Sequence, residues 1–293
     1  MSSADTAGPT VAVVTVAYHS EDALEGFFRT LPAALDGVTA EVVVVDNAST
    51  DRDLSAGRAR AAGATFVALD ENLGYGAGAD AGVAALRSHP EFIVIANPDV
   101  EFTDGAIRSL LDAADAVREG AAFGPRIVDE HGAVYPSARR FPRVGTGVGH
   151  ALLGRIAPGN PWTRAYRAED DHGTERRATD WLSGACLLLR RSAYDEVGGF
   201  DHDYFMYFED VDLGQRLADA GWRSIYVPDA TVLHFGARST SLVARRMDRA
   251  HHASAYRYLA SVYDRWYHAP LRLALRTGLG LRSRARGRGD QTA

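Results

Sequence analysis

The chain has 293 residues, 46% of them apolar and 24% charged. This is an ordinary globular composition that excludes disorder, collagen and coiled coil as descriptions of the whole. All 32 basic residues are arginine, against 38 acidic ones, for a net charge of −6. Residues 265–293 hold Arg265, Arg272, Arg276, Arg282, Arg284, Arg286 and Arg288 against Asp290 alone, so this tail carries +6 and the preceding body −12. That body is unsuited to nucleic acid, whereas the tail suits an anionic surface.

Taken in chain order, MSSADTAGPT lacks the basic and then apolar stretches of a secretory leader, and no run reaches the roughly 18 to 20 apolar residues of a spanning helix. A protein neither exported by a cleaved signal nor integral to a membrane is expected. Val11–Val16 and Val42–Val45 are short β-branched runs bounded by turn residues, as in buried parallel strands. Between them Leu24, Phe27, Phe28, Leu31 and Leu35 recur at helical spacing, with Asp22 placed as an N-cap. The alternation continues with helix 51–62, strand 65–69, helix 76–87, strand 92–96, helix 104–118 and strand 121–127. Such alternation predicts an α/β fold with a Rossmann-like, mostly parallel sheet flanked by helices, whose ligands bind at the carboxyl ends of strands.

From Tyr135 to Asp180 periodicity weakens and Pro, Gly and Arg accumulate, apart from the apolar stretch His150–Ile156. This reads as a long insertion on the sheet. Ala185–Leu189 then reads as a strand containing Cys186, the lone cysteine, which permits no disulfide and is expected to be a buried, inert thiol. A short helix 192–197, a helix 211–220 closed by Gly221, and a strand 224–227 stopped by Pro228 follow. Residues 248–282 read as helical, with Tyr256, Leu259, Tyr263 and Trp266 on one face.

Polar residues gather where the strands end. Strand one ends in Thr15-Val16-Ala17-Tyr18, strand two in Asp46-Asn47-Ala48-Ser49-Thr50-Asp51, and strand four in Asn97-Pro98-Asp99. Asp46 can accept from a pyrimidine N–H, and Asp99 can hold a divalent cation against a diphosphate. The competing reading makes Asp46, Asp51 and Asp99 turn and capping residues. Residues 72–82, NLGYGAGADAG, superficially match a dinucleotide fingerprint but follow strand three, not strand one. Their small side chains suit close approach of a helix N-terminus to a diphosphate, or plain tight packing.

The segment Phe205-Met206-Tyr207-Phe208-Glu209-Asp210-Val211-Asp212-Leu213 sets three carboxylates among large apolar residues. A carboxylate there has a raised pKa and suits general-base work, unless all three merely stabilise a helix N-terminus. His234, after Thr231-Val232-Leu233, can supply a nitrogen ligand to the same cation or be structural. The adjacent pair His251-His252 reads as structural, since neighbouring helical residues point apart.

The ordered set VTVAY (14–18), DNASTD (46–51), NLGYGAG (72–78), NPD (97–99), WLSGACLLLRR (181–191), GGFD (198–201) and FMYFEDVDLGQRL (205–217) resembles the family-2 inverting glycosyltransferases of the GT-A fold. More narrowly, NPD with VYPSARR (134–140), NPWTRAYR (160–167), WLSGA and FMYFEDVDL resembles actinobacterial rhamnosyltransferases that act on polyprenyl-diphosphate-GlcNAc to build the linker between peptidoglycan and arabinogalactan. The resemblance implies a GT-A catalytic domain over 1–240, with a nucleotide-binding half (1–130) and an acceptor and catalytic half (131–240). It leaves a helical, basic segment over 241–293 that either docks on the membrane or packs on the catalytic domain with its terminal arginines solvated.

It further implies that Thr15, Ala17, Tyr18, Asp46 and Asn47 hold the nucleoside, and that Asn72, Tyr75, Gly76 and Asn97 lie near the donor's ribose and diphosphate. Asp99, with His234, would bind Mg or Mn. Trp181, Ser183, Gly184 and Tyr207 would meet the acceptor, and Asp210, beside Glu209, would be the base. The implied partners are dTDP-L-rhamnose, a lipid-linked GlcNAc acceptor and the inner face of the plasma membrane. Asn97 replaces the first carboxylate of the family's Asp-x-Asp, Asp80 stands where relatives carry Asn, and the Gln-x-x-Arg-Trp motif of processive members is missing. Single-sugar transfer is therefore implied. Alternatives are a family member using another sugar nucleotide or surface glycan, a catalytically silent sugar-nucleotide binder, and a dinucleotide-dependent oxidoreductase, the last disfavoured by the misplaced glycines.

Overall fold

The computed structural model describes residues 11–50, 52–143, 173–236 and 241–289, with side chains described over the same ranges except 241–249 and 280–289. Asp51, the apolar stretch 150–156 and the NPWTRAYR motif lie outside the described residues. The first half alternates as its sequence pattern requires: β1 (Val11–Ala17), α1 (Ala23–Leu35), β2 (Ala40–Asp46), α2 (Arg52–Ala61), β3 (Thr65–Ala68), α3 (Tyr75–Ala84), β4 (Phe92–Ala96), β5 (Val100–Phe102), α4 (Ala106–Ala116) and β6 (Gly120–Val128). Next come the short strands β7 (Val134–Tyr135), β8 (Ala138–Arg139), β9 (Arg177–Thr179) and β10 (Trp181–Leu182). The chain ends in β11 (Cys186–Arg190), α5 (Arg191–Glu196), α6 (Glu209–Asp219), β12 (Arg223–His234), α7 (Ser241–Val262) and α8 (Ala269–Gly289).

The main sheet has the order β3-β2-β1-β4-β11-β6-β12-β5, with β7 and β9 pairing at β6 and β12. Neighbours β3, β2, β1 and β4 are parallel, as are β6 and β12, while β11 runs antiparallel between β4 and β6. Strand β1 is buried on both faces, which is why it reads as one apolar run. Val11 and Val13 pack with Phe27, Leu31, Ile107 and Leu110 of α1 and α4. Val14 and Val16 pack with Ala79, Tyr194, Leu213 and Leu217 of α3, α5 and α6.

This topology collects the polar segments at one edge of the sheet. The forward strands end there, and β11, running backwards, begins there, so Ser183-Gly184-Ala185 meets the end of β4 where the Asn97 N–H donates to the Ala185 carbonyl at 2.9 Å. Cys186 is buried in β11, and burial pushes its thiol up to about 12, so it is inert as expected.

Several local expectations are corrected. Asp22 sits before α1 but makes no side-chain capping bond. The last strand does not stop at Pro228; β12 passes it with a register shift between Val227 and Thr231, because an irregularity removes the ladder bond proline cannot make. The late helix is two helices with a break around Asp264 and a 3₁₀ turn at Trp266–His268. Its buried face is His252, Ala255 and Tyr258, while Trp266 is 85% exposed.

Candidate active site

The base-bearing segment is held in an unusual conformation. Tyr207 and Phe208 both have positive φ, 66° and 68°, a left-handed geometry costing on the order of 1–3 kcal/mol per non-glycine residue and persisting only where surroundings enforce it. Helix α7 supplies that enforcement. Ser254 donates through Oγ to the Met206 carbonyl at 2.9 Å. The Phe208 ring packs on His251 and Tyr258 with centroids 5.5 and 5.7 Å away, and Tyr207 lies 5.4 Å from His251. The histidine pair thus packs structurally, with His252 buried.

The double turn delivers Glu209 and Asp210 to the first turn of α6. Asp210 accepts from the Gly184 N–H through Oδ2 and from the Val211 N–H through Oδ1, both at 2.9 Å. Glu209 is buried, and its Oε2 has no hydrogen-bond partner among the described residues. Burial, then the neighbouring Asp210 charge, pushes Glu209 up to about 8. Burial also raises Asp210, opposed by its two backbone donors and by the Arg139 guanidinium. Two carboxylates this close do not both ionise readily. The two backbone donors favour the charge on Asp210, and the lack of a donor at the second oxygen of Glu209 favours the proton there, while burial leaves Asp210 more basic than an ordinary carboxylate. The third carboxylate is committed elsewhere: Asp212 accepts from Arg216 Nε at 2.7 Å, and Arg216 also donates to the Val197 and Gly199 carbonyls.

Tyr75 faces this pair. Its hydroxyl donates to the Gly184 carbonyl at 2.7 Å, and burial, followed by the charge of Glu209, raises its pKa well above the usual tyrosine range. One residue is therefore held through both of its flanking peptides, Tyr75 on the Gly184 carbonyl and Asp210 on the Gly184 N–H. Neither contact is visible in the linear sequence.

The glycine-rich stretch packs closely and has one N–H of its first helical turn engaged inside the protein. The Tyr75 N–H already donates to the Phe205 carbonyl at 3.1 Å. A Cβ on Gly76 would come within 2.7 Å of Phe200 Cβ, and one on Gly78 within 2.8 Å of Val16 Cγ1. Gly76 and Gly78 thus allow close helix packing, and the Tyr75 phenol, expected near the donor, is hydrogen-bonded to the Gly184 carbonyl. Asn72 accepts from the Gly74 N–H through Oδ1 at 3.0 Å. Asn47 spends its whole amide on the same loop, donating to the Gly74 carbonyl and accepting from the Leu73 N–H, each at 2.9 Å.

At the ends of β1 and β2, Thr15, Ala17 and Asp46 are buried and Tyr18 is 44% exposed. Asp46 accepts from the Ser49 N–H through Oδ1 at 2.9 Å, while its Oδ2 and Thr15 Oγ1 are buried without partners among the described residues. Buried orphan acceptors are uncommon and mark a place where a polar partner belongs.

The ends of β4 and β12 form a third cluster. His234 Nε2 lies 3.2 Å from Asp99 Oδ1 and 3.2 Å from Asn97 Nδ2. Two ligands about 2.1 Å from one cation and at right angles stand about 3.0 Å apart, so Asp99 and His234 fit adjacent positions on a divalent ion. Turning the Asn97 amide over would present its oxygen to the same point. Among the described residues no three His, Cys, Asp or Glu side chains are placed to hold a metal ion together, so a cation here needs oxygens from a ligand.

On the acceptor side, the β8–β10 pair sets Arg139 opposite Trp181. The Arg139 guanidinium lies 5.4 Å from the Tyr135 ring centre and 5.8 Å from that of Trp181. Trp181 donates through Nε1 to the Arg140 carbonyl at 3.0 Å, and its Cβ stands where a Cβ on Gly214 would collide. The Ser183 N–H donates to the Ser137 carbonyl at 2.8 Å. Burial, then Glu209 and Tyr135, raises the Tyr207 hydroxyl. Arg139 was not singled out individually in the sequence, where it is one of thirty-two arginines.

A mostly parallel sheet helix-packed on both faces, with a carboxylate-bearing cluster at its strand ends, is the GT-A arrangement of glycosyltransferases. A mannosyltransferase from Pyrobaculum calidifontis, solved with GDP-Man and Mn2+, superposes with a TM-score of 0.55 at 19% identity, over 96% of this chain and 76% of its own. The family model described as glycosyltransferase like family 2 matches residues 1–253, and the chain belongs to that family. It is 45% identical over 280 residues to the N-acetylglucosaminyl-diphospho-decaprenol L-rhamnosyltransferase of Mycobacterium tuberculosis, covering 92% of this chain and 91% of the relative. Rhamnosyltransferase WbbL of Escherichia coli K12 is 29% identical over 171 residues, 58% of this chain and 62% of the relative.

Proposed function

We propose that this glycosyltransferase moves L-rhamnose from dTDP-L-rhamnose to a polyprenyl-diphosphate-linked GlcNAc, inverting the anomeric configuration. The substrate assignment is supported by the near full-length similarity to the mycobacterial enzyme of that name. The observation that carries the mechanism is the Asp210 carboxylate, fixed by two backbone N–H groups at the edge where the strands end and made more basic by burial.

Residues 1–130 form the donor half, where Thr15, Ala17, Tyr18 and Asp46 enclose the nucleoside and the partnerless Asp46 oxygen receives a base N–H. Asn47 and Asn72 act one step back, shaping the Gly74 loop. Asp99 and His234 hold a divalent cation, Mg or Mn, which when bound neutralises charge on the departing nucleoside diphosphate. Asn97 completes that corner. Residues 131–240 form the acceptor and catalytic half, where Trp181, Ser183, Gly184 and Tyr207 line the approach to Asp210. Asp210 takes the proton of the acceptor hydroxyl as that oxygen attacks the anomeric carbon from the face opposite the leaving group. Glu209 stays protonated, so Asp210 works beside a neutral neighbour. Tyr75 keeps the Gly184 peptide, and with it the Asp210 carboxylate, in one orientation.

The segment 241–293 keeps the active-site mouth near the cytoplasmic membrane face. No helix among the described residues is long and apolar enough to cross a membrane. The corner between α7 and α8 exposes Trp266, Tyr267 and Leu273 beside the arginine-rich tail. Interfacial aromatics with several cations, each worth about 1 kcal/mol at an anionic leaflet, give reversible attachment.

The test incubates the protein with a panel of sugar nucleotides, a short-chain lipid-diphosphate-GlcNAc and Mg²⁺ or Mn²⁺, and reads product masses. Addition of one deoxyhexose from dTDP-L-rhamnose alone is expected. Equal use of hexose donors, or nucleotide binding without product, would refute the assignment.

A further inference from the structure

We propose that Arg139 forms the binding site for the diphosphate of the lipid-linked acceptor. This rests on the acceptor assignment above and deepens it by naming the group that recognises the acceptor's charge. Three bridging arginines of the catalytic body, Arg190, Arg216 and Arg257, are held in ion pairs. Arg190 donates to the Gly120 and Ala114 carbonyls and to Glu91. Arg216 is held by Asp212 and two carbonyls, and Arg257 by Asp201 and Asp203.

Arg139 differs. Its Nε donates to the Pro136 carbonyl at 2.7 Å, which fixes the plane of the guanidinium. The Tyr135 and Trp181 rings lie within 6 Å and support it. Among the described residues no carboxylate pairs with it, and its two terminal nitrogens make no hydrogen bond. Those nitrogens form the edge that matches two phosphate oxygens at once.

Position decides which diphosphate is recognised. Asp99 and His234 lie at the ends of β4 and β12, where the donor's leaving group is placed. Arg139 lies on the β8–β10 pair, which runs directly into Ser183 and the Gly184 N–H that holds Asp210. Its charge is felt by Asp210. The acceptor must present its hydroxyl to Asp210, and its diphosphate is one sugar ring away from that hydroxyl. A fixed guanidinium beside the base, without a carboxylate of its own, meets that requirement.

Arg139→Ala and Arg139→Lys are compared with wild type on two water-soluble acceptors, a short-chain lipid-diphosphate-GlcNAc and a neutral alkyl glycoside of GlcNAc. Loss of a charged bidentate contact raises KM for the diphosphate acceptor about tenfold to a hundredfold in Arg139→Ala. Arg139→Lys, a point charge without the fork, falls between. The KM for donor stays at its wild-type value, and the kcat/KM for the neutral acceptor falls far less than that for the diphosphate acceptor, which also shows that the variant is folded. A rise in donor KM in place of acceptor KM assigns Arg139 to the donor diphosphate and overturns the proposal. Equal loss on both acceptors makes Arg139 a support for Trp181 or Asp210 and overturns it too. Wild-type enzyme inactive on any GlcNAc lipid would instead refute the acceptor assignment itself.

Discussion

Glu209→Gln should stabilise the protein, and by an amount that depends on pH. The wild-type side chain is buried with one oxygen unpartnered, and its pKa is pushed up to about 8 from a reference of 4.5. Between those values the folded protein keeps a proton that the unfolded chain releases, so stability falls as pH rises and levels off above about 8. Each unit is worth about 1.4 kcal/mol, so at pH 7 the penalty is on the order of 3 kcal/mol, and at pH 5 about 0.8. Glutamine has the shape of the protonated acid and no charge to lose. The variant should therefore lie within about 3 °C of wild type near pH 5 and unfold on the order of 5 to 10 °C higher at pH 7 and above. Thermal unfolding of both proteins at pH 5, 7 and 8.5, in EDTA, reads the difference. A difference constant across pH, or a variant less stable at pH 8.5, would refute the assignment of the shared proton to Glu209. Activity at pH 7 should largely survive, since the neutral neighbour is preserved.

Asp210→Asn should lower kcat by about 10²- to 10⁴-fold, the usual worth of a general base, while calorimetry shows donor-nucleotide affinity unchanged. Asp99→Ala should weaken nucleoside diphosphate binding when Mg²⁺ or Mn²⁺ is present and leave it unaltered in EDTA, with His234→Ala milder; equal losses in both conditions would remove Asp99 from the cation site. Full-length protein should sediment with anionic but not neutral vesicles and be released by salt, and deletion of residues 282–293 should weaken the binding, since four of the tail's seven arginines go with it.

The donor half was legible because each of its strands is a short apolar run followed at once by its polar residues. Strand boundaries from β1 to β4 fell within two residues of expectation, and Asp46, Asn97 and Asp99 all came to the expected edge. Periodicity says nothing of strand direction, so the insertion of antiparallel β11 between β4 and β6 was not foreseen, although it brings Gly184 to Asp210. The short strands β7 to β10 are too brief to carry a pattern of their own. The glycines of α3 were read as serving either diphosphate approach or tight packing, and their closeness to Phe200 and Val16 shows the packing role. Pro228 was read as a stop because a linear sequence does not reveal an irregularity in the neighbouring ladder. What was least visible was the bracing of the base: Tyr75 on Gly184, and Ser254 and Tyr258 on the turn before Glu209, all join segments more than forty residues apart.

The central claim is that Asp210 drives single-displacement glycosyl transfer. The most direct measurement is the anomeric configuration of the sugar newly joined to the GlcNAc acceptor, read by NMR on product made from dTDP-L-rhamnose. A configuration opposite to the donor's, formed by wild type and lost in Asp210→Asn, is the predicted result. A retained configuration, or an inverted product still formed at wild-type rate by Asp210→Asn, would contradict it.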